Sequence, residues 1–426
     1  MLSSNDNYLL TRTGPETRMG DMLRQYWIPA LLAEELPHPD CPPVRVKLLG
    51  EELIAFRDTN GKLGIVDEFC PHRKVSLFFG RNEDCGVRCA YHGWKFDTEG
   101  NCVDLPSEPP ESKFKDKVKI KSYPCEERGG VIWTYMGPTE SKPELPEQEW
   151  MLVSDSQRHL SRKIQESNFF QALEGGIDSS HVSILHSGSV GGLGVSKNSN
   201  STSLLAKDTA PRFEVADTDY GLLIGARREA DDENFYWRIT QFLMPFYSMI
   251  PPFAGAPRGG HAWVPIDDEN CWVWSWSWTP DRDLTEEEIK QMKSGAGIHP
   301  TLIPGTFRTK GNKENDFLID REMQKRGESF AGIFGVGMED HAVQVSAGPI
   351  VDRSQEKLGT SDTAIIKARQ CLLKAVRALE NGEKLPALDP SSHRIRSASV
   401  LLPKGVPFQE GAKEALELNE KDFEAV

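Results

Sequence analysis

Residues 70–80, CPHRKVSLFFG, and residues 89–100, CAYHGWKFDTEG, decide the fold of this chain. Each stretch opens with a cysteine and a nearby histidine, as C-x-H in the first and C-x2-H in the second, and sixteen residues separate the two pairs. Both stretches are short and contain glycine, so they form loops that present a thiol and an imidazole each. The four candidate ligands are Cys70, His72, Cys89 and His92.

Two thiolates and two imidazoles are the ligands of a [2Fe–2S] cluster in which histidines replace cysteines on one of the irons. Here Cys70 and Cys89 hold one iron, and His72 and His92 hold the other. Neutral nitrogen in place of anionic sulfur raises the reduction potential of such a cluster. A structural zinc site is the alternative, because S2N2 coordination also suits that metal. Common zinc sites pair cysteine with cysteine and histidine with histidine, so the mixed spacing favours the cluster.

The composition limits the classes of protein to consider. The 426 residues suffice for two or three domains, and the formal net charge of -14 argues against nucleic acid or an acidic membrane surface as a partner. The chain has no apolar run long enough to span a membrane, and its N-terminus lacks the features of a secretory signal. We therefore expect a cytoplasmic protein whose other cysteines are reduced thiols.

The pattern of the chain divides it into three parts. Residues 1–40 form a lead-in with a short helix around Met19–Trp27. Residues 41–145 contain short strands separated by turns, and they carry both ligand loops. After a boundary rich in proline and glutamate, residues 146–426 mix strands with helices, and the tail beyond Pro390 is expected to be loosely ordered.

Within the last part, residues 271–280, CWVWSWSWTP, place four tryptophans at every second position. This period predicts a strand with one aromatic face, which is better explained by covering helices than by a cofactor or substrate site. Residues 204–206 give a weaker strand signal. Residues 284–294 and 362–382 have the apolar spacing of helices.

A second candidate metal site lies in residues 168–186, NFFQALEGGIDSSHVSILH. His181 and His186 are five residues apart, so an ideal helix would turn them about 140° from each other. Gly175 and Gly176 suggest an interrupted helix that brings both imidazoles to one metal. The alternative is two unrelated polar histidines near a helix end. Beside a [2Fe–2S] cluster the metal site is favoured, because such a cluster needs a redox partner.

A mononuclear Fe(II) that activates O2 is commonly held by two histidines and one carboxylate. Residues 326–354 offer two adjacent candidates for the carboxylate, Asp340 and, as its alternative, Glu339. Asp316 and Asp320 are four residues apart beside an arginine, which is typical of a solvated helix face with ion pairs.

Asp178 has a separate predicted role, because it precedes His181 by three residues. A carboxylate there can accept a hydrogen bond from the ring nitrogen that does not bind metal, which fixes the tautomer of the ligand. A turn or a helix cap is the alternative role.

CPHR and CAYHGWKFD, together with LEGGIDSSHVSILH and the segment at residues 348–375, resemble the Rieske non-haem iron oxygenases, specifically the alpha subunits of the phthalate dioxygenase-like group. The resemblance implies an α+β fold: an N-terminal antiparallel β domain with the Rieske [2Fe–2S] cluster, then a catalytic domain with an antiparallel sheet flanked by helices. It implies His181, His186 and Asp340 as ligands of the catalytic iron, and Asp178 as the aspartate that bridges the two metals. It also implies a homotrimer or a dimer of trimers, in which the cluster of one subunit serves the iron of its neighbour.

The resemblance further implies a terminal oxygenase that hydroxylates an aromatic carboxylate with O2, either as a dioxygenase or as an O-demethylating monooxygenase. A separate NADH-dependent reductase supplies the electrons, because no nucleotide or flavin motif is found in this chain. A Rieske-type electron carrier and a zinc-stabilised binding protein are the alternatives. A substrate carboxylate needs a cation, for which we select Lys207; the other candidates are Arg212, Arg227, Arg228 and Arg238.

Overall fold

The structure is a computed structural model of the chain, and it describes residues 2–193 and 200–418. The chain divides into two compact units, one of Thr13–Pro143 and the other of Met1–Arg12 with Glu144–Val426. Residues 13–40 of the expected lead-in therefore lie in the first unit, and residues 1–12 in the second. Over the described ranges, every helix is too short or too polar to cross a membrane.

The unit of residues 13–143 is built from short antiparallel strands. After α1 (Ser4–Thr11), which lies in the other unit, the elements are α2 (Arg18–Leu23), β1 (Trp27–Leu32), β2 (Val44–Leu48), β3 (Glu51–Arg57), β4 (Leu63–Asp67), β5 (Arg81–Glu83), β6 (Gly86–Arg88), β7 (Lys95–Phe96), β8 (Cys102–Asp104), β9 (Ser122–Tyr123), β10 (Cys125–Arg128) and β11 (Val131–Tyr135). They form sheets in the orders β1-β11-β10, β2-β3-β4-β9 and β5-β6-β7-β8.

The two candidate ligand loops lie between neighbouring strands of this unit. One loop connects β4 with β5, and the other connects β6 with β7. A core that includes Phe56, Leu77 and Phe96 packs beneath them. The helix predicted around Met19–Trp27 ends sooner, at Leu23, because β1 is fully buried and pairs with β11.

The other unit is organised around one antiparallel sheet. Its elements are α3 (Glu149–Leu152), β12 (Arg158–Gln165), α4 (Phe169–Ile177), α5 (Asn200–Lys207), β13 (Arg212–Asp217), β14 (Gly221–Glu229), β15 (Asn234–Leu243), β16 (Tyr247–Ile250), β17 (Arg258–Pro265), β18 (Cys271–Trp278), α6 (Glu286–Lys293), α7 (Arg321–Lys325), α8 (Val336–Ser346), α9 (Thr363–Glu380), β19 (Ala398–Pro403), α10 (Phe408–Gly411) and α11 (Lys413–Leu416). The strand order is β12-β18-β17-β16-β15-β14-β13, and β19 pairs with β15.

Two local predictions for this unit are wrong. Residues 204–206 belong to α5, because two adjacent leucines carry too little periodicity to separate a strand from a helix. The tail is ordered over β19, where hydrogen bonds to β15 and the burial of Leu402 against Trp237 hold it.

The sheet has two chemically different faces, since successive side chains of a strand point to opposite sides. The four tryptophans of β18 are buried on one face, and Trp150 of α3 stacks on Trp276 with ring centroids 4.6 Å apart. The prediction of a tryptophan face covered by a helix is thus confirmed. The intervening residues Val273, Ser275 and Ser277 line a cavity on the opposite face.

Candidate metal centres and their cavity

The two ligand loops of the first unit repeat the same backbone hydrogen bonds. In each loop the cysteine N–H donates to the carbonyl of the residue five positions later, and the N–H four positions later donates to the cysteine carbonyl, at 2.8–3.0 Å. Those fourth residues, Lys74 and Gly93, have φ values of 58° and 76°. The left-handed conformation closes each turn and returns the chain toward the sheet.

These loops place thiols inside and imidazoles outside. Cys70 and Cys89 are buried, whereas His72 is exposed and its ring centroid lies 4.5 Å from that of His92. Trp94 stacks on His72 from the core side. Burial raises the pKa of the Cys70 thiol to about 11, so the thiolate needs the positive charge of a metal. Two inner thiols and two outer imidazoles fit a [2Fe–2S] cluster with mixed ligands.

The second candidate centre follows the end of α4. The helix ends at Ile177, and a 3-10 turn begins at His181, so the chain leaves helical geometry before it reaches the two histidines. The ring centroids of His181 and His186 lie 5.0 Å apart. The structure therefore brings the two imidazoles together after the helix rather than within it.

The role predicted for the glycines differs from what the structure contains. α4 continues without interruption through Gly175 and Gly176. A Cβ on Gly176 would overlap the Trp263 ring, and one on Gly175 would meet the end of the Gln344 side chain. The glycines thus allow close packing of α4 rather than a break in it.

Asp340 of α8 completes the group. Its Oδ1 atom lies 3.4 Å from His181 Nε2, and its Oδ2 atom lies 3.4 Å from His186 Nε2. One ligand atom from each residue lies within 4.8 Å of the others, so a single ion can contact all three. Two imidazoles and one carboxylate are the donor set of mononuclear iron sites that leave positions open for O2 and substrate.

Each of the two histidines has a carboxylate on its far nitrogen. His181 Nδ1 lies 3.4 Å from Asp178, and His186 Nδ1 lies 2.7 Å from Glu339. The Glu339 side chain is fully buried and also accepts hydrogen bonds from Ser189 and Ser329. Glu339, our alternative metal ligand, therefore faces away from the common point and orients His186 instead.

The pKa shifts show that the pocket favours a cation. Burial alone would lower the pKa of His186, but Asp340 and Glu339 outweigh it and raise the pKa to about 10. Burial alone would raise the pKa of Asp340, but His186 and His181 hold it well below its usual range. Without a metal, a proton on His186 supplies the positive charge that the carboxylates require. A metal ion at the same place would supply that charge.

Arg228 fixes the loop between Asp178 and His181. Its side chain is fully buried, and Nη2 donates to the Ser179 carbonyl at 2.6 Å. Further contacts reach Ser183 and the Asp208 carbonyl. Burial lowers the pKa of Arg228 to about 10, so it is still charged at neutral pH.

The candidate iron ligands border a cavity of about 370 Å³, a size typical of small-molecule sites. Polar side chains of the sheet that line it are Lys163, Gln165, Arg238, Thr240, His261, Ser275 and Ser277. Of these, only Arg238 was a candidate from the sequence. The positions between the tryptophans of β18, and the residues paired with them on the neighbouring strands, indicate which side chains face the cavity.

Arg238 is the cation of this cavity that is best placed for an anion. The residue is buried, and its Nη2 donates to the Pro251 carbonyl at 2.9 Å. Nε and Nη1 have no hydrogen-bond partner among the described residues. Burial alone would raise the pKa of the neighbouring Tyr236, but the positive charge of Arg238 holds it below its ordinary value.

Lys207, the cation chosen from the sequence, does not line the cavity. It is exposed at the end of α5, where Nζ donates to the Ala230 carbonyl at 2.6 Å. Arg227 lies over Phe235 and beside Glu214, and Arg212 is exposed. The structure thus places Arg238 at the cavity and Lys207 away from it, because the alternation of β15 turns Arg238 inward while α5 directs Lys207 outward.

Comparisons with known proteins agree with this architecture. A model of the Rieske [2Fe-2S] domain matches residues 26–124, and a model described as LigXa C-terminal domain like matches residues 134–421. The chain is 38% identical to the 3-chlorobenzoate-3,4-dioxygenase oxygenase subunit of Comamonas testosteroni, over 98% of this chain and 99% of that protein. It is 41% identical to the phthalate 4,5-dioxygenase oxygenase subunit of Pseudomonas putida, over 96% and 94%.

Among solved structures, dicamba monooxygenase bound to dicamba has a TM-score of 0.58 at 17% identity, covering 85% of this chain and 99% of that one, which shows a shared fold. The chain belongs to the Rieske oxygenase family. Within that family it is an oxygenase alpha subunit, with the Rieske domain first and the catalytic domain second. The predicted family, fold class and cofactors are confirmed, and oxygenase function is supported over an electron carrier or a zinc-stabilised binding protein.

Proposed function

We propose that this chain is the terminal oxygenase of a multicomponent system that hydroxylates an aromatic carboxylate with O2. A separate NADH-dependent reductase supplies the electrons. The observation that carries the proposal is the group of His181, His186 and Asp340 beside a cavity that contains Arg238. The names of both relatives, an oxygenase subunit for 3-chlorobenzoate and one for phthalate, support an aromatic acid as the substrate.

In this proposal His181, His186 and Asp340 hold Fe(II), and Cys70, His72, Cys89 and His92 hold the Rieske cluster. When bound, the iron activates O2 with electrons from the cluster. The chain's own residues prepare that site: Asp178 and Glu339 keep the two histidines oriented with Nε2 toward the metal.

The substrate end of the site rests on Arg238 and on the shape of the cavity. The guanidinium of Arg238 can donate hydrogen bonds to a carboxylate, because its Nε and Nη1 atoms have no partner among the described residues. Phe253 lies against Arg238, with 4.6 Å between the guanidinium carbon and the ring centroid. Together they favour a flat ring with an acidic group held at the Arg238 end and the reactive carbons toward the iron ligands.

Electrons are proposed to pass between chains rather than within one chain. Exposed apolar side chains occur near the cluster loops, at Phe79 and Tyr91, and near the iron ligands, at Ile184, Phe330 and Phe334. Two different surfaces of this kind favour a head-to-tail contact, and such contacts form a closed ring when the rotation between neighbours closes. A homotrimer, single or stacked as a dimer of trimers, would place Asp178 between the cluster of one chain and His181 of the next.

Oxygen consumption with NADH, a reductase and a panel of aromatic acids tests the activity. Dihydroxylation incorporates both atoms of ¹⁸O2 into one ring product, whereas O-demethylation releases formaldehyde and a phenol. We expect about three irons per chain, two in the cluster and one mononuclear. Two results together would contradict the proposal: only two irons per wild-type chain, and O2 consumption by the His181→Ala variant equal to that of wild type.

Complementation tests the path between chains. Cys70→Ser removes a cluster ligand and His181→Ala removes an iron ligand, so each variant alone should be inactive. Co-expressed chains should regain part of the activity only if the cluster of one chain feeds the iron of another. Mixed assemblies that contain both variants but stay inactive would contradict the transfer between chains.

A further inference from the structure

His299 is a buried histidine outside the iron site, and both of its ring nitrogens are in hydrogen-bond contact. Nδ1 lies 2.7 Å from the Ser161 hydroxyl, and Nε2 lies 3.0 Å from the Ser277 hydroxyl. Its exposed fraction is 2%. Ser161 belongs to β12 and Ser277 to the adjacent strand β18, on the face of the sheet opposite the tryptophans.

These three side chains connect the outside of the fold with the cavity. Ser277 and His299 line the cavity that the iron ligands also border. Ser161 does not line the cavity, and this residue is partly exposed. The imidazole of His299 contacts both the Ser161 hydroxyl and the Ser277 hydroxyl, so the three side chains form a continuous path of hydrogen bonds.

The protonation state of His299 suits proton transfer through this path. Burial lowers the pKa of His299 well below its usual value, so the ring is neutral. A neutral imidazole has one N–H donor and one acceptor nitrogen, and a hydroxyl can both donate and accept. A proton can therefore enter at one nitrogen while another leaves from the opposite nitrogen.

The titratable groups that act on the pKa of His299 are two other imidazoles, those of His159 and His261. His159 meets the ring edge-on, with centroids 4.6 Å apart, and burial lowers its pKa, with a smaller contribution from Lys293. His261 is bound to Ser275, and burial lowers its pKa to about 4. Both neighbours are thus neutral at pH 7. Unlike them, the ring of His299 contacts hydroxyls on two adjacent strands, that of Ser161 on β12 and that of Ser277 on β18.

We propose that Ser161, His299 and Ser277 form a proton relay that feeds the cavity during oxygen reduction. The relay rests on the proposed function. Hydroxylation of one carbon consumes O2, two electrons and two protons, and yields the alcohol and water; dihydroxylation consumes the same set and places both oxygen atoms on the ring. The electrons come from the reductase through the cluster, so the protons must reach the cavity from solvent.

Serine variants test the relay without removing the buried imidazole. Ser277→Ala breaks the inner link and Ser161→Ala the outer link, whereas Ser277→Thr keeps a hydroxyl. In single-turnover reactions of the pre-reduced, iron-loaded protein, we expect each alanine variant to form product at least about 10-fold more slowly. We expect a larger solvent deuterium isotope effect in both, and near-normal rates in Ser277→Thr. Ser248→Ala is the matched control, because Ser248 is a buried serine of the same sheet that lies outside the relay.

A measurement without turnover checks the hydrogen bonds themselves. In protein labelled with ¹⁵N-histidine and free of mononuclear iron, Ser161→Ala should shift only Nδ1 of His299, and Ser277→Ala only Nε2. Unchanged ¹⁵N shifts would overturn the relay whatever the activity.

Equal rates in wild type and both alanine variants would also overturn it, as would an equal loss in Ser277→Thr and Ser277→Ala. An equal loss in Ser248→Ala would show a general effect on the sheet and would likewise overturn it. A wild-type chain that oxidises no aromatic acid would instead contradict the proposed function, so the two failures are distinguishable.

Discussion

His186 Nδ1 lies 2.7 Å from the carboxylate of Glu339, while Nε2 of the same ring lies 3.4 Å from Asp340. The two carboxylates are adjacent in the sequence, yet they meet opposite ends of one imidazole. Successive residues of a helix are turned by about 100°, so α8 can direct Asp340 to the metal position and Glu339 behind the ligand. The arrangement makes Glu339 the anchor of His186.

Glu339→Gln should weaken the mononuclear iron site while the cluster is retained. Glutamine keeps the size of the side chain but loses the negative charge that orients and polarises His186. Loss of such a support lowers metal affinity by roughly 10- to 100-fold. Titration of iron-depleted protein with Fe(II) measures the change, and Glu322→Gln on the exposed helix α7 is the control. Equal affinity in Glu339→Gln and wild type would contradict the role.

Glu339 and Asp340 also show what the sequence alone does not determine. Spacing and donor chemistry, together with the neighbouring cluster motif, indicate His181, His186 and one of two adjacent carboxylates, and the structure brings the side chains of His181, His186 and Asp340 together. Which of Glu339 and Asp340 points to the common position depends on the rotation of α8, and that rotation is set by tertiary packing. The cavity-facing serines and Arg238 likewise depend on which strand neighbours meet, which a single sequence does not specify.

Gly175 and Gly176 of α4 show the same limit. The sequence places them close to the two histidines, but they allow α4 to approach neighbouring side chains rather than interrupt the helix. Long-range neighbours such as Trp263 are 87 residues away from Gly176 in the sequence, so local patterns cannot reveal them.

Gly176→Ala should destabilise the chain, because the added Cβ would overlap the Trp263 ring. Overpacking of this kind costs about 1–3 kcal/mol, more than the gain in helix propensity from alanine. Gly175→Ala is the matched control on the same helix, since its new methyl meets the end of the Gln344 side chain rather than an aromatic ring. Thermal unfolding should show a lower Tm for Gly176→Ala alone. Equal Tm values for the two variants would refute the explanation.

The metal-free protein should lose stability as the pH rises from about 6.5 to 10. The pKa of His186 is raised in the folded state to about 10, so protonation stabilises the fold fully below the unfolded value near 6.5. That contribution is lost as the pH passes through the folded value. Because other groups titrate in the same window, the quantity to compare is the free energy of unfolding of wild type minus that of His186→Gln. A difference that stays constant with pH would contradict the shift.

Binding of iron should remove this dependence on pH, because the metal takes the place of the proton on His186. Apparent Fe(II) affinity should accordingly rise with pH over the same window, as fewer protons have to be displaced. Titrations at three pH values measure the slope. A slope of zero would show that His186 is already neutral before the metal binds.

Arg238→Met should weaken the binding of an aromatic acid and leave its neutral amide little changed. The loss of a charged hydrogen bond of about 1.5–3 kcal/mol corresponds to a rise in Kd of roughly 10- to 150-fold. Arg238→Lys keeps the charge but not the paired geometry, so it should fall between the two. Calorimetry with benzoate and benzamide compares the ligands directly. An equal loss for both would mean that Arg238 shapes the cavity rather than binding the carboxylate.

Asp178→Asn should leave both metal centres loaded but slow the transfer of electrons to the iron. Asparagine can still accept a hydrogen bond from His181 Nδ1. It lacks the negative charge of Asp178, which favours electron transfer at the iron that His181 holds. Since His181 holds the pKa of Asp178 below its usual range against the effect of burial, the carboxylate is ionised throughout the neutral range.

The rate at which O2 reoxidises the reduced cluster, measured by the visible absorbance of the cluster, should fall by roughly 10- to 100-fold or more in Asp178→Asn. The exposed Asp316→Asn is the control. Wild-type rates in Asp178→Asn, with full iron content, would mean that electrons reach the iron by a route that does not include this carboxylate.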